Sequence, residues 1–374
     1  MNFTFATLWH DRQRYLPGVL AVAFSAVLIA LQCGLLLGLL SVTSLPITNT
    51  RADIWVGSPD VLSLDLGRAI PRSFLTRVAE HPEVERVEEY YQGFTYWSKP
   101  GGGSELCIVI GSSIEDDALG SVAALTPELR RLLTEPDSVV IDEAELDRLG
   151  LKTGLNETGE IAGRKVRVVG LIKGYKSLAG PYVFCSQSTA RPLIPRLGPD
   201  QTVYLLAKCR NKEYIPAVVD LLRRQYPDMS AFTSQEFSVR SRMHWLTKTK
   251  AGIAIGYSAI LGLLVGAVVT SQTLYAAIAG AMREYAVLRA LGIPRWRMAA
   301  AVMGQSFWVG VLGILLSLPV VYGLASLGEA AGAKVLLQAW LVGSVAAITL
   351  VMALLSGLVA LRSLRLVEPA NLLR

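Results

Sequence analysis

The chain has 374 residues, 52% hydrophobic and only 18% charged, and 36 Lys+Arg against 30 Asp+Glu leave a formal charge of +6. Soluble domains carry about 25% charged residues, and here the deficit is concentrated: residues 15–50, 251–282, 298–328 and 335–361 contain no Asp, Glu, Lys, Arg or His. About 20 apolar residues cross a bilayer core as a helix, and a charge at its centre costs about 2.5–3.5 kcal/mol on insertion scales, so four such runs exclude an ordinary soluble protein.

In chain order, residues 1–15 hold Phe3, Phe5, Leu8 and Trp9 beside His10, Asp11, Arg12 and Arg14. That composition suits a cytoplasmic amphipathic helix lying in the membrane interface. Pro17 then permits a turn into a first transmembrane helix, residues 16–42. Its apolar part is too long for a signal-peptide core and no small-x-small cleavage site follows, so it reads as a retained span.

Residues 43–245 read as an extracytoplasmic mixed α/β domain. "ADIWVG", "VERVEEYYQGFTYW", "ELCIVIGS", "VRVVGLIKG", "PYVFCS" and "TVYLLAKC" are strand candidates. Helices are predicted at 71–80, 127–133, 143–149 and 213–225, the first two with proline at the first helical position. Lys99 to Ser104, "KPGGGS", is a loop tip. The carboxylates of "VERVEEY" and "SIEDDALG" read as solvated faces rather than an acid/base pair. Cys107, Cys185 and Cys209 lie in this block and Cys33 in the first span. Three is odd, so at most one disulfide forms within the block; unpaired structural thiols are expected, and no cysteine–histidine cluster suggests a metal.

Near the end of the domain "TSQE" has the form of a capping box, with Thr233 as cap and Glu236 reaching back. No proline occurs between Asp228 and Ile293. One helix is therefore expected from about Ser234, as a stalk, through a second span at 246–282. Unbroken to Met282 it would reach about 73 Å, with Gly252 and Gly256 as bend points. The surplus beyond the membrane core would carry the outer domain.

Residues 283–297, "REYAVLRALGIPRWR", put four arginines and Glu284 between two spans. Gly292 and Pro294 stop a helix whose Tyr285, Leu288 and Leu291 share one apolar stripe, with Val287 beside it. An ordinary positive loop needs the arginines but no stripe; a helix that seats in a partner's groove needs both. A third span at 298–328, a short external loop at 329–334, a fourth span at 335–361 and a cytoplasmic tail at 362–374 complete the chain. Small residues recur at helical spacing as Gly34/Gly38, Gly252/Gly256 and Gly262/Gly266. Such faces let helices approach closely, either within the four-helix set or at a dimer seam.

Charge sets the topology. Residues 51–250 hold 26 Lys+Arg and 26 Asp+Glu, so the whole +6 comes from the membrane flanks. The basic flanks are the N-terminal arm, residues 283–297 and the tail, and basic flanks mark the cytoplasmic side. Both termini are then cytoplasmic, and the basic balance needs no nucleic-acid partner. No phosphate-binding GxxxxGK[ST], GxSxG or HExxH motif occurs, and the three histidines are far apart in this topology. The spans also lack the ionisable side chains of proton relays. The chain reads as no enzyme, and any work it performs draws energy from another subunit.

"REYAVLRALGIPRW" resembles the cytoplasmic helix of the MacB/FtsX-type ABC transporter permeases, the type VII or mechanotransmission superfamily, in which an acidic residue precedes an apolar–Arg–Ala–hydrophobic–Gly signature. The tail "RLVEPANLLR" is similar to the family's ending, and the long insert after the first span agrees. Residues 242–275 and 8–34 further resemble the DevC-like subgroup. Many relatives carry Glu where this chain has Gln305. The resemblance implies four spans with an α/β domain between the first two, in a bacterial inner membrane. It implies a cytoplasmic ABC ATPase, holding the ATP and Mg, docked on Arg283, Glu284, Tyr285, Ala286, Val287, Leu288, Arg289, Ala290, Leu291 and Gly292. It also implies a second permease copy, with a periplasmic adaptor and an outer-membrane channel as further partners in export. The cargo class would be a hydrophobic or amphipathic compound: a lipid, glycolipid, peptide, drug or haem. The alternative is a signalling device of the FtsX kind that transports nothing and controls an external hydrolase.

Overall fold

In a computed structural model the described residues are 12–177, 179–280, 287, 294–330 and 333–366. They fall into two units, residues 1–38 with 250–374, and residues 39–249.

Among the described residues four helices are long and apolar enough to cross a membrane, Gln13–Val42, Lys250–Ala277, Trp296–Ala330 and Ala339–Val359; all lie in the first unit except the last residues of the first helix, which belong to the second. They belong to α1 (Arg12–Val42), α9 (Lys250–Gly280), α10 (Arg295–Ala330) and α11 (Ala339–Leu366). The protein is a multi-pass membrane protein with a large α/β domain between its first two spans. Residues 1–11 of the expected interfacial helix, and 367–374 of the tail, lie outside the described residues. Pro17 does not turn the chain as expected; it sits inside α1. As the sixth residue of that helix it forgoes the bond its N–H would make to the Gln13 carbonyl.

Hydroxyls and glycines join these helices. Ser25 Oγ donates to the Ala21 carbonyl at 2.8 Å and lies 3.0 Å from Thr270 Oγ1. Ser271 and Ser356 meet at 2.9 Å. Lipid tails supply no hydrophobic drive between helices, so close approach and such bonds do the joining.

The second unit is built on a nine-stranded sheet of order β11-β1-β10-β3-β4-β8-β5-β7-β6. In chain order the strands are β1 (Ile54–Gly57), β2 (Ile70–Pro71), β3 (Val84–Ser98), β4 (Ser104–Ser112), β5 (Ser138–Asp142), β6 (Thr158–Ile161), β7 (Arg164–Ile172), β8 (Tyr182–Ser186), β9 (Gln201–Thr202), β10 (Tyr204–Cys209) and β11 (Ser230–Thr233). The helices are α2 (Leu45–Thr48), α3 (Phe74–Ala79), α4 (Pro127–Leu132), α5 (Leu146–Leu149), α6 (Gln187–Leu193), α7 (Ile215–Gln225) and α8 (Ser234–Lys248). β2 and β9 form a separate ribbon.

β3 is the long element that joins the two halves. Its first part pairs with β10, its second part with β4 from Tyr91↔Gly111 to Ser98↔Ser104. Trp97 and Ser98 also pair with β6, which closes β3-β4-β8-β5-β7-β6 into a ring. Strand alternation separates two cores. Tyr90, Phe94, Ile108, Ile110, Tyr182 and Phe184 face one; Tyr91, Trp97, Cys107, Val109, Val183 and Cys185 face the other. At the β3–β4 tip Gly102 and Gly103 take φ of 94° and 85°, which glycine adopts without strain.

Several expectations need correction. Pro71 opens no helix; it extends β2 opposite Gln201, and the helix starts at Phe74. A proline's φ fits an edge strand as well as a first helical turn. Pro127 does sit in the first turn, with Thr126 as cap. Glu88 and Glu89 are buried rather than solvated, at 7% and 8% exposure, because β3 runs between β10 and β4. β5, β6, β11 and α6 were not expected; β5 ("SVVID") is a short, fully buried run with no alternation to reveal it. Thr233 does cap α8, its hydroxyl accepting from Glu236 N–H at 3.1 Å, while the Glu236 carboxylate takes a bidentate bond from Arg223 Nη2 at 2.6 and 2.7 Å. The expected unbroken helix is interrupted at Thr249, which is extended (φ −95°, ψ 145°), rather than at Gly252 or Gly256.

Candidate functional site

Of the stretch read as the ATPase-docking helix, Arg283, Glu284, Tyr285, Ala286, Leu288, Arg289, Ala290, Leu291 and Gly292 lie outside the described residues; Val287 is helical and exposed. The glycines have described surroundings. Gly262 faces Gln32 and Leu28, and Gly266 faces Ser25 and Ile29. The nearest atoms to a Cβ on Gly34 or Gly38 belong to residues 334–337. The non-helical residues 333–338 lie across them, with Leu336 N–H bonded to the Gly34 carbonyl at 3.0 Å. A Cβ on Gly38 would come within 1.8 Å of the Lys334 carbonyl oxygen. Gly252 is buried and Gly256 half-buried on α9.

The strongest described constellation is where α8, the last element before the second span, locks into the outer domain. Phe237 is fully buried. Its ring lies 5.7 Å from Trp55, 5.7 Å from Tyr204 and 5.3 Å, stacked, from Phe232. Trp55 in turn meets Tyr90 and Tyr204 edge-on at 5.1 and 5.6 Å. Polar bonds continue along the same helix. Ser241 Oγ accepts from Leu64 N–H at 3.0 Å, Arg240 Nε donates to the Val61 carbonyl at 2.9 Å, and Arg242 Nε donates to Ser44 Oγ at 2.8 Å. Trp245 Nε1 donates to Asp65 Oδ1 at 3.2 Å, which also accepts from Ser63 Oγ. Arg223 and Arg240 lie over Phe232 at 5.3 and 5.1 Å. Sequence reasoning identified the cap of this helix but not its seat, because an aromatic contact made across 182 residues (Trp55 to Phe237) leaves no local pattern.

Beside α8 a cleft is lined by Val42, Thr43, Leu64, Asp65, Gln92, Ile108, Ser177, Ala179, Tyr182 and Trp245. Gln92 stands on the same β3 face as Tyr90 and Phe94; it is 3% exposed, and its buried Oε1 has no hydrogen-bond partner. The Tyr182 and Tyr204 phenols are both pushed up, by burial first and also by the charge of Asp65.

The remaining buried acids are structural. Glu88 accepts from Leu119 N–H at 2.9 Å and pairs with Arg86 at 2.8 Å, and Arg86 also reaches Glu115 and Asp117. Burial still raises the Glu88 carboxyl above its ordinary value. Glu89 pairs with Arg72 and accepts from Tyr91 at 2.6 Å. Asp142 and Glu145 hold the 175–177 backbone, accepting from Tyr175 and Ser177 N–H at 2.6 and 3.1 Å. Burial raises Glu145, against the opposing pull of Ser177 and Arg148. The Cys107, Cys185 and Cys209 thiols are free and buried, and burial pushes Cys107 up to about 12 and Cys209 to about 11. These are unreactive packing thiols. No cluster of three or more metal-ligating side chains occurs among the described residues.

The MacB-like periplasmic core domain model matches residues 19–225, more than half of the chain, and the FtsX-like permease C-terminal model matches residues 257–369. Among solved structures, the chain is similar to the periplasmic region of MacB from Actinobacillus actinomycetemcomitans, at 13% identity and TM-score 0.35, over 54% of this chain and 97% of that one. It is also similar to the extracellular domain of the noncanonic ABC-type transporter YknZ from Gram-positive bacteria, at 11% identity and TM-score 0.32, over 49% and 100%. A third similarity is to a domain of a putative permease protein from Porphyromonas gingivalis, at 14% identity and TM-score 0.28, over 49% and 87%. No curated protein matches the chain.

Proposed function

Because this chain belongs to the family of permeases with a MacB-like periplasmic core and an FtsX-like C-terminal region, we propose that it is the permease subunit of an ABC exporter driven by a separate cytoplasmic ATPase. It is a transport subunit rather than an enzyme. Two copies pair, two ATPase subunits dock on residues 283–292, and nucleotide-driven closure displaces the second span. The displacement reaches the outer domain through α8. The domain then hands an amphipathic or hydrophobic compound outward. The resemblance of residues 8–34 and 242–275 to DevC-like permeases supports a periplasmic adaptor and outer-membrane channel as further partners.

The observation that carries this reading is the seating of α8. A helix meant to move a domain must be fixed to it more firmly than it is to water. Phe237 in an aromatic cage, with Ser241, Arg240, Arg242 and Trp245 bonded along 2 further turns, meets that need. Burying a phenylalanine contributes about 1.5–3 kcal/mol before packing is counted.

The test is reconstitution of the chain with its ATPase in liposomes. Leu288→Asp puts a charge into the apolar seat at the ATPase and is expected to abolish ATPase retention and transport together. Phe237→Ala is expected to keep ATP hydrolysis and lose transport. Retained ATPase binding and transport in Leu288→Asp would overturn the docking assignment.

A further inference from the structure

We infer that the cleft beside α8 recognises a primary ammonium group at the end of an alkyl chain. As a statement about cargo or lipid this rests on the export reading above; as a statement about binding it stands on the cleft alone.

Two of the lining residues, Gln92 and Asp65, carry acceptors short of donors. Gln92 Oε1 is buried without a partner. Leaving such an oxygen unmet is unfavourable, and it stands between Tyr90 and Phe94 on its strand face. Among the described residues Asp65 receives hydrogen bonds from Ser63 and Trp245, both on Oδ1, and none on Oδ2. Among the described residues no cation pairs with Asp65, whereas Glu88 and Glu145 each pair with an arginine. A negative charge among Tyr182, Tyr204 and Trp245 thus lacks a counter-charge, and a half-buried charge favours one strongly.

Size and walls narrow the ligand. The space is ≈ 20 Å³, room for one group the size of a water molecule. A water would meet Gln92 but leave the carboxylate charge uncompensated. A primary ammonium has the same size, three donors and the missing charge; a quaternary ammonium is too large. The Trp245 indole also lines the cleft. Val42, Leu64, Ile108 and Ala179 supply the apolar side of that space; it admits only the ammonium end, and an attached chain leaves it.

Equilibrium binding of radiolabelled n-hexylammonium to the full-length chain in phosphatidylcholine nanodiscs, corrected for empty discs, tests this. Saturable binding at one site per chain is expected, about tenfold or more tighter than for n-hexanol or hexyltrimethylammonium. Asp65→Asn should weaken it by a similar factor. Gln92→Leu should weaken it less, and Gln92→Glu should strengthen it. Equal competition by the alcohol, or unchanged affinity in Asp65→Asn, would overturn the proposal; the alcohol comparison uses the unaltered protein and does not depend on any variant folding. Discs containing phosphatidylethanolamine separate two sources of the same chemistry: a lipid headgroup occupant lowers apparent hexylammonium affinity, a free amine occupant leaves it unchanged. The assay contains no ATPase, so its failure leaves the coupling reading standing. Leu288→Asp, which breaks coupling, should bind hexylammonium normally.

Discussion

The fully enclosed aromatic side chains, Trp55, Trp97, Tyr90, Tyr91, Tyr204, Phe184 and Phe237, all lie in the outer domain, beside smaller enclosed residues such as Ala190 and Ser138. In the spanning unit the most enclosed include Val22, Ser25, Thr270, Thr349 and Ala353. The difference follows from the two solvents. Water drives large apolar groups together, so the domain gains by burying rings. Lipid offers no such gain, so helices in the spans meet through small residues and hydroxyls that let backbones come close. A single substitution should therefore act through lost ring burial in one unit and through lost close approach in the other.

The largest expected effect that sharpens this contrast is Phe237→Ala. Removing the ring from its cage should destabilise the outer domain by about 3–5 kcal/mol, read as a lower urea midpoint for the domain in the full-length chain. A change below about 1 kcal/mol would mean that α8 is not anchored by burial. Next comes Gly38→Leu, whose side chain would drive into the Lys334 carbonyl. A loss of about 1–3 kcal/mol is expected from such overpacking, read as a lower thermal midpoint in detergent. Gly343→Leu, where no atom lies within 4 Å of a built Cβ, is the control and should be near neutral. If both glycines tolerate leucine equally, close approach is not what holds the spans. Ser25→Ala should cost less, about 0.6 kcal/mol.

The chemistry of the turns shows how much of this was legible. Hydropathy and charge reveal four spans and an intervening α/β domain, because lipid imposes one long, uncharged pattern on each crossing. The caps at Thr126 and Thr233 are equally local and equally readable. Pro71 was not, since one residue type fits both a strand and a helix start. Glu88 and Glu89 were not, since their burial depends on β10, more than 100 residues away in the chain. The same reason hid the cage around Phe237 and the cleft at Gln92. The stretch at 283–292, proposed to dock the ATPase, was the clearest motif in the sequence, and it falls outside the described residues except for Val287.

The smallest effect tests the domain's turns. Glu157 accepts from the N–H groups of Lys152, Thr153 and Gly154 and from the Thr153 hydroxyl, which hold its carboxyl down to about 2, against an ordinary 4.5. Its folded value is depressed, so its contribution is present above about 4.5 and lost as pH falls toward about 2. Glu157→Gln should flatten the acid limb of the domain's stability–pH curve in that window and leave the neutral plateau with a small loss. Glu88 and Glu145 have the opposite sign: burial raises them, so each favours the folded domain most when protonated and that contribution fades as pH rises past the ordinary glutamate range.

The most direct measurement of force transmission is the distance between spin labels at Lys165→Cys, exposed on β7, and Glu329→Cys, exposed at the end of α10, in the complex reconstituted with its ATPase. The account predicts that ATP shifts this distance distribution in the otherwise unaltered chain, and that Phe237→Ala abolishes the shift while hydrolysis continues. An unmoved distance during active hydrolysis, or a shift that survives in Phe237→Ala, would contradict it.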